Sequence, residues 1–425
     1  MKKTRVLIVG GGFGGVYTAI EFEKRRDPDF EVTMVSEDNF FLFTPMLHEV
    51  AASDLDLTHI VNPVRKILRH VNFINCEVQS IDLVNRTIKI LHGFDRHNHA
   101  LEFDHLVFAL GSVTNFYKIP GLEERAITMR SLGDAIDLRN TLIARLEEAN
   151  PDCATNNREP LLTFVVAGGG FAGVETVGSI KDFILEALPF YPNLEPEMIR
   201  VVLVHPGDFV LPELGESLGR YASRKLAERG VELRSNTKVS AVTPREVKLS
   251  DGTSITSLTL IWTAGTSLHP LLDELDVPKE HGRIKVNAHM EMQGFPGLWA
   301  VGDCAMIPDP GGGFCPPTAQ HASREGQGSR FEYYCKRTPG TAATLPVQNP
   351  RFARLNWPTD WSGAHPRCQF FRVHCLVALA DDLSQQVAAN REETPGCPRL
   401  DARPFLHEGL RSIRSRTCID NLNGA

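Results

Sequence analysis

No run of eighteen apolar residues occurs in the 425-residue chain, so the sequence offers no helix to cross a bilayer. The nine cysteines contain no CxxC pair and no zinc-ligand spacing. That excludes a redox-active disulfide of that kind and a metal site, and it fits a reducing compartment. Long Lys/Arg runs are missing as well. With a net charge of -7 this argues against a nucleic-acid groove, whose affinity rests on phosphate neutralisation, so nucleic acid is not an expected partner. The opening "MKKTRVLIVGGG" mimics a signal peptide, but only about six residues separate Lys3 from the glycines and no small-residue cleavage site follows. It is expected to be a first strand in a cytoplasmic protein.

What is present is ordinary globular composition, 42% hydrophobic and 23% charged, on a chain long enough for two or three domains. Its distinctive feature is a repeated shape. "RVLIVGGGFGGVYTAI" runs from an apolar strand (Val6 to Val9) through Gly10, Gly12 and Gly15 into a helix beginning near Phe13. The first glycine permits a tight turn, the second lets backbone approach a pyrophosphate, and the third allows close helix–strand packing. The helix N-terminus then offers free N–H groups and a positive dipole end. The next strand, "FEVTMV", ends at Ser36-Glu37, which places Glu37 where the fingerprint wants a carboxylate for a ribose hydroxyl.

"LTFVVAGGGFAGVETVG" makes the shape again with Gly168, Gly170 and Gly173, followed by a helix carrying Glu175. Its second strand, "IRVVLV", ends at His205 instead of an acid. A histidine can donate to a 2′-hydroxyl, and no arginine stands beside it to hold a 2′-phosphate, so NADH is favoured over NADPH. Two such units imply two dinucleotides, and the natural use of two is to pass electrons from one to the other. The expected class is therefore α/β, with two Rossmann-like domains, one for a flavin and one for a nicotinamide.

Three more stretches carry a family resemblance. "FDHLVFALGS" and "LTLIWTAGT" resemble the strand-plus-glycine links between the FAD and NAD domains of two-dinucleotide flavoproteins, and "PGLWAVGDCA" resembles their second FAD motif. "NFFLFTPMLHEVA" and "CPPTAQHASREG" make the chain most similar to the type II NADH:quinone oxidoreductases, single-subunit enzymes that do not pump protons. The resemblance implies FAD on Gly10, Gly12, Gly14, Gly15, Glu37, Thr44, Pro45, Gly111 and Asp303, with the backbone of Val78 at the adenine. It implies NADH on Gly168, Gly170, Phe171, Gly173, Glu175 and Gly265, and the strand-end reading adds His205 at the ribose. Glu175 then lies where the nicotinamide meets the flavin, and Gln320 approaches the quinone; both are the candidate catalytic residues. The expected domains are FAD-binding over 1–115 plus 290–326 and NADH-binding over 116–289.

Two alternatives stay open. Sulfide:quinone oxidoreductases share the glycine turns and the late Gly-Asp but use cysteines, and Cys153 and Cys315 lie in suggestive regions. The other is an FAD/NAD-binding protein without quinone turnover. The resemblance also implies a peripheral protein on the cytoplasmic face of the inner membrane, and it leaves homodimerisation open.

The resemblance ends near Gly326. Residues 327–425, dense in Arg, Pro and Cys without a sustained helical period, read as loop where relatives carry amphipathic membrane-resting helices. A one-base shift of the back-translated segment 370–388 produces a Trp-rich apolar helix. TGG emerges at Leu376-Val377, Val377-Ala378 and Leu379-Ala380, and the same shift turns "GQGSRFEYY" into a helical continuation. The tail is thus expected to be a frameshift product with weakened membrane affinity. Sequencing the gene across the codons for Arg324 to Arg330 checks this: one restored base should regenerate the Trp-rich helix, and DNA that admits no such frame contradicts it.

Overall fold

The structure, a computed structural model, describes residues 3–151, 153, 158–309 and 312–335, with side chains to Gly328. The frameshift expectation concerns residues that lie mostly outside this range.

Strand Thr4–Val9 reads TRVLIV and buries its last four side chains, the pattern of a parallel strand covered on both faces. It pairs in parallel with Phe30–Ser36 on one side and His105–Phe108 on the other. Asn72–Asn75 and Leu298–Ala300 complete a five-stranded sheet, so a strand from late in the chain closes the first unit. Helix Phe13–Arg25 packs beside it with every residue from Phe13 to Phe22 buried. Each large apolar side chain so covered contributes roughly 1.5–3 kcal/mol.

The second unit repeats the plan. Strand Thr163–Ala167 is wholly buried and lies between Arg200–Val204 and Thr259–Trp262, with Val231–Arg234 and Ile127–Thr128 at the edges of a second five-stranded parallel sheet. Helix Phe171–Ala187 follows its glycine turn. In both sheets the strand before the glycines has the next strand of its unit on one side and a strand from much later in the chain on the other, the switch point at which open α/β sheets bind ligands. The two-Rossmann α/β reading holds.

Two connections matter for the site. Ser112–Thr114 pairs antiparallel with Thr266–Leu268, making a ribbon from the two strand-plus-glycine stretches. The short helix Leu47–Ala51, from the loop after the second strand, packs on helix Phe171–Ala187.

Helix Ala319–Cys335 runs past Gly326, so residues 327–335, read from sequence as loop, are helical. The correction has a packing cause. This helix lies along Phe13–Arg25, and a Cβ at Gly326 would stand 2.5 Å from the Gly14 carbonyl oxygen, so the two backbones approach at glycine. The long contact nucleates a helix that continues beyond the segment whose composition favours it.

Candidate functional site

At the first glycine turn, a Cβ on Gly15 would lie 2.0 Å from the Gly10 carbonyl oxygen, while one on Gly12 would meet nothing within 4 Å. The second turn is the same: Gly173 would place a Cβ 1.8 Å from the Gly168 oxygen, and Gly170 faces open space apart from one carboxylate oxygen 3.7 Å away. Gly12 and Gly170 are the N-caps of their helices; neither helix has a side-chain cap, and neither carries an acid in its first turn. Free N–H groups thus converge on two open cradles, and an anion there gains typically 0.3–1 kcal/mol from the helix dipole. Both cradles fit a dinucleotide pyrophosphate. Phe171 opens the second helix.

The strand ends differ. Gly10 N–H donates to the Val35 carbonyl and Gly168 N–H to that of Val204, so Ser36 and His205 hold equivalent positions. Each lies under the middle glycine: Cβ atoms on Gly11 and Gly169 would meet Ser36 Oγ and the His205 ring, both at 2.5 Å. Glu37 is therefore matched by Pro206, and His205 by Ser36. The His205 Nδ1 accepts from Gly169 N–H at 3.1 Å, and the ring also bonds the Phe209 carbonyl, so both nitrogens serve the turn. Burial pushes its pKa down. Glu37 is exposed, with its carboxylate unpaired among the described residues.

Gly111 (φ +64°) and Gly265 (φ +77°) flank the ribbon, where only glycine adopts the turn without strain. Gly111 is open, whereas a Cβ on Gly265 would meet the Tyr117 ring at 2.4 Å. Asp303 sits in the short helix Gly302–Cys304 and accepts from Ser112 Oγ at 3.2 Å. Arg130 Nη2 donates to the same hydroxyl at 2.9 Å. Gly302 N–H donates to Glu325 Oε2 at 2.8 Å, and burial pushes that carboxyl to about 7. Gly14 packs on Val301, tying the first helix to the Gly-Asp motif. Val78 is buried on strand Glu77–Asp82.

Thr44 and Pro45 form a 3-10 turn that leads into helix Leu47–Ala51. This delivers His48 to Glu175: Nε2 lies 3.6 Å from Glu175 Oε2, and Nδ1 lies 3.0 Å from Ser179 Oγ, one helical turn on. Burial, with the Glu49 charge nearby, pushes the Glu175 carboxyl up to about 8, and burial pushes His48 down to about 4. At neutral pH both are uncharged, so the contact is no ion pair. Gln320 lies on the first turn of helix Ala319–Cys335, whose Ala322 is 3.6 Å from a Cβ built on Gly302. Gln320 thus stands with the Gly-Asp motif, and no hydrogen bond joins it to Glu175 among the described residues. Sequence reasoning missed His48, Ser179, Arg130 and Glu325, although His48 lies inside the quoted "NFFLFTPMLHEVA" and Glu325 inside "CPPTAQHASREG".

These shifts set a pH dependence. Between about 4.5 and 8 the folded protein holds a proton on Glu175 that the unfolded chain releases, so stability falls as pH rises through that window. His48 acts oppositely, its contribution disappearing as pH falls from 6.5 to about 4. Glu325 adds to the alkaline decline in any variant at position 175. Thermal unfolding at pH 6.5 and 8 should show a loss in the wild type that Glu175→Gln reduces. Equal losses would contradict the assignment.

The "Pyridine nucleotide-disulphide oxidoreductase" family model matches residues 4–326. A probable NADH dehydrogenase of Dictyostelium discoideum is 30% identical over 333 residues, 76% of this chain and 72% of that one. The type II NADH:quinone oxidoreductase Ndh of Mycobacterium tuberculosis is 30% identical over 320 residues, 72% of this chain and 68% of that protein. The NDH2 structure from Plasmodium falciparum in complex with NADH shares the fold, with a TM-score of 0.73 at 19% identity over 78% of this chain and 83% of that one. The chain belongs to the pyridine nucleotide-disulphide oxidoreductase family, among the type II NADH:quinone oxidoreductases.

Proposed function

We propose that the chain is an FAD-dependent NADH:quinone oxidoreductase that moves no protons across a membrane. The observation that carries this reading is the duplicated cradle: two uncapped helix N-termini, each with an open glycine, linked by a ribbon that starts at Gly111 and Gly265. FAD belongs to residues 1–115 plus 290–326 and NADH to 116–289; the late strand Leu298–Ala300 in the first sheet supports the discontinuous boundary.

FAD, when bound, supplies the electron chemistry, accepting hydride from NADH and returning two electrons to a quinone. The chain's own groups bind and orient. Gly10, Gly12, Gly14 and Gly15 hold the FAD pyrophosphate on the first helix, and Glu37 takes the ribose hydroxyls. Asp303, fixed by Ser112, meets the ribityl–phosphate region, with Thr44, Pro45, Val78 and Gly111 lining the rest. Gly168, Gly170, Phe171 and Gly173 hold NADH in the same way. Glu175, protonated at neutral pH, keeps a proton on its carboxyl for the quinone, and Gln320 orients the quinone. A carboxyl with a pKa of about 8 is suited to that role near neutrality.

The sulfide-oxidising alternative needs reactive thiolates. Burial pushes the Cys315 thiol up to about 11, which opposes that chemistry. No helix among the described residues is long and apolar enough to cross a membrane. The placement we propose, peripheral on the cytoplasmic face, is supported by the likeness to the type II NADH:quinone oxidoreductases. A homodimer is compatible with this placement.

Purified protein should be yellow, and anaerobic mixing with NADH should bleach it. Glu175→Gln should slow the quinone half-reaction by on the order of 10²-fold while changing flavin reduction little. Equal loss in both half-reactions removes Glu175 from the quinone step. Bleaching by sulfide but not by NADH favours the alternative, and reaction with soluble acceptors but not a long-chain quinone favours a nucleotide-binding protein without quinone turnover.

A further inference from the structure

The second cradle lacks an acid at its strand end. Pro206 stands where Glu37 stands in the first, and His205 is consumed by the turn itself. A nicotinamide dinucleotide bound there still presents two adenosine-ribose hydroxyls, which need an acceptor.

The chain supplies one from farther along. After His205 it turns back over the glycines: Leu211 N–H donates to the Gly169 carbonyl at 2.7 Å, with Leu211 buried and held at φ +54°. A left-handed backbone at a buried leucine is a strained conformation that persists only where its surroundings fix it. A 3-10 turn, Pro212–Leu214, follows directly. It brings Glu213 Oε1 to 3.7 Å from the open Cβ position of Gly170, at the rim of the cradle. Glu213 is exposed and has no hydrogen-bond or ion-pair partner among the described residues. By contrast Glu216, in the next turn, is paired with Arg220 at 2.8 Å.

We infer that Glu213 is the ribose-reading carboxylate of the nicotinamide site and selects NADH over NADPH. Its oxygens accept from the 2′- and 3′-hydroxyls, and a 2′-phosphate in the same place would meet like charge. The fixed Leu211 turn sets the carboxylate's reach, and that is why the strand-end residue is free to be a histidine that buttresses Gly169. This inference rests on the reading of the second cradle as the NADH site.

The test is anaerobic flavin reduction in the holoenzyme, titrated with NADH and with NADPH. Wild type should bind NADPH at least about tenfold more weakly than NADH. Glu213→Gln should raise the apparent Kd for NADH about tenfold, the loss of one charge-assisted hydrogen bond, with the limiting reduction rate unchanged. It should also narrow the preference, and Glu213→Lys should reverse it. Glu216→Gln, of equal charge change, should leave the ratio as in wild type. Because Glu213 is exposed and unpaired, flavin content and melting temperature should match wild type in both variants. An unchanged NADH:NADPH ratio in the Glu213 variants, or the same shift in Glu216→Gln, overturns the inference while leaving the nicotinamide site standing. A wild-type flavin that neither nucleotide reduces overturns both.

Discussion

Everything in this molecule depends on backbone N–H groups left without partners at two helix starts. Ordinarily a Ser, Thr, Asp or Asn satisfies such groups. Here glycine occupies both N-caps, and the third glycine of each turn lets the helix settle against the carbonyl of the first, at 2.0 and 1.8 Å from where a Cβ would lie. The close approach aims the helix axis at the sheet's switch point and leaves space where the ligand belongs. The fold is less stable for those uncapped ends, and the deficit is made good by an anion.

The two cradles become one device because elements cross between the units. The Ser112–Thr114 ribbon joins them through Thr266–Leu268, and helix Leu47–Ala51 carries His48 from the first unit to Glu175 in the second. The result is a desolvated carboxyl held protonated by its surroundings, beside a neutral histidine that a serine holds. A salt bridge at the same place would hold the carboxylate charged and unable to donate.

Much of this was legible in the chain. Both glycine turns, the apolar strands before them and the late Gly-Asp motif are local patterns, and the structure puts each on the element expected. What escaped was anything decided by register or return. His205 and Glu37 look equivalent as the residues at their strand ends, but the bonds from Gly10 to Val35 and from Gly168 to Val204 match Glu37 to Pro206. Glu213 becomes visible only once the chain folds back through a left-handed leucine. The helix through Cys335 is sustained by glycine-mediated contact with a helix some three hundred residues earlier, on the order of the whole matched segment, and local periodicity carries no trace of such long-range packing. Glu175 shows the reverse case: a lone glutamate near a helix start is ordinarily a solvated residue, and only the surrounding motif marked it.

The central claim is that one chain holds two distinct dinucleotides at once. Equilibrium dialysis of the flavin-loaded protein against labelled NAD⁺, with the FAD released afterwards and counted, tests it directly. The account predicts one FAD and one NAD⁺ per chain, bound without competition. NAD⁺ that displaces FAD, or that finds no site while FAD is present, would contradict it.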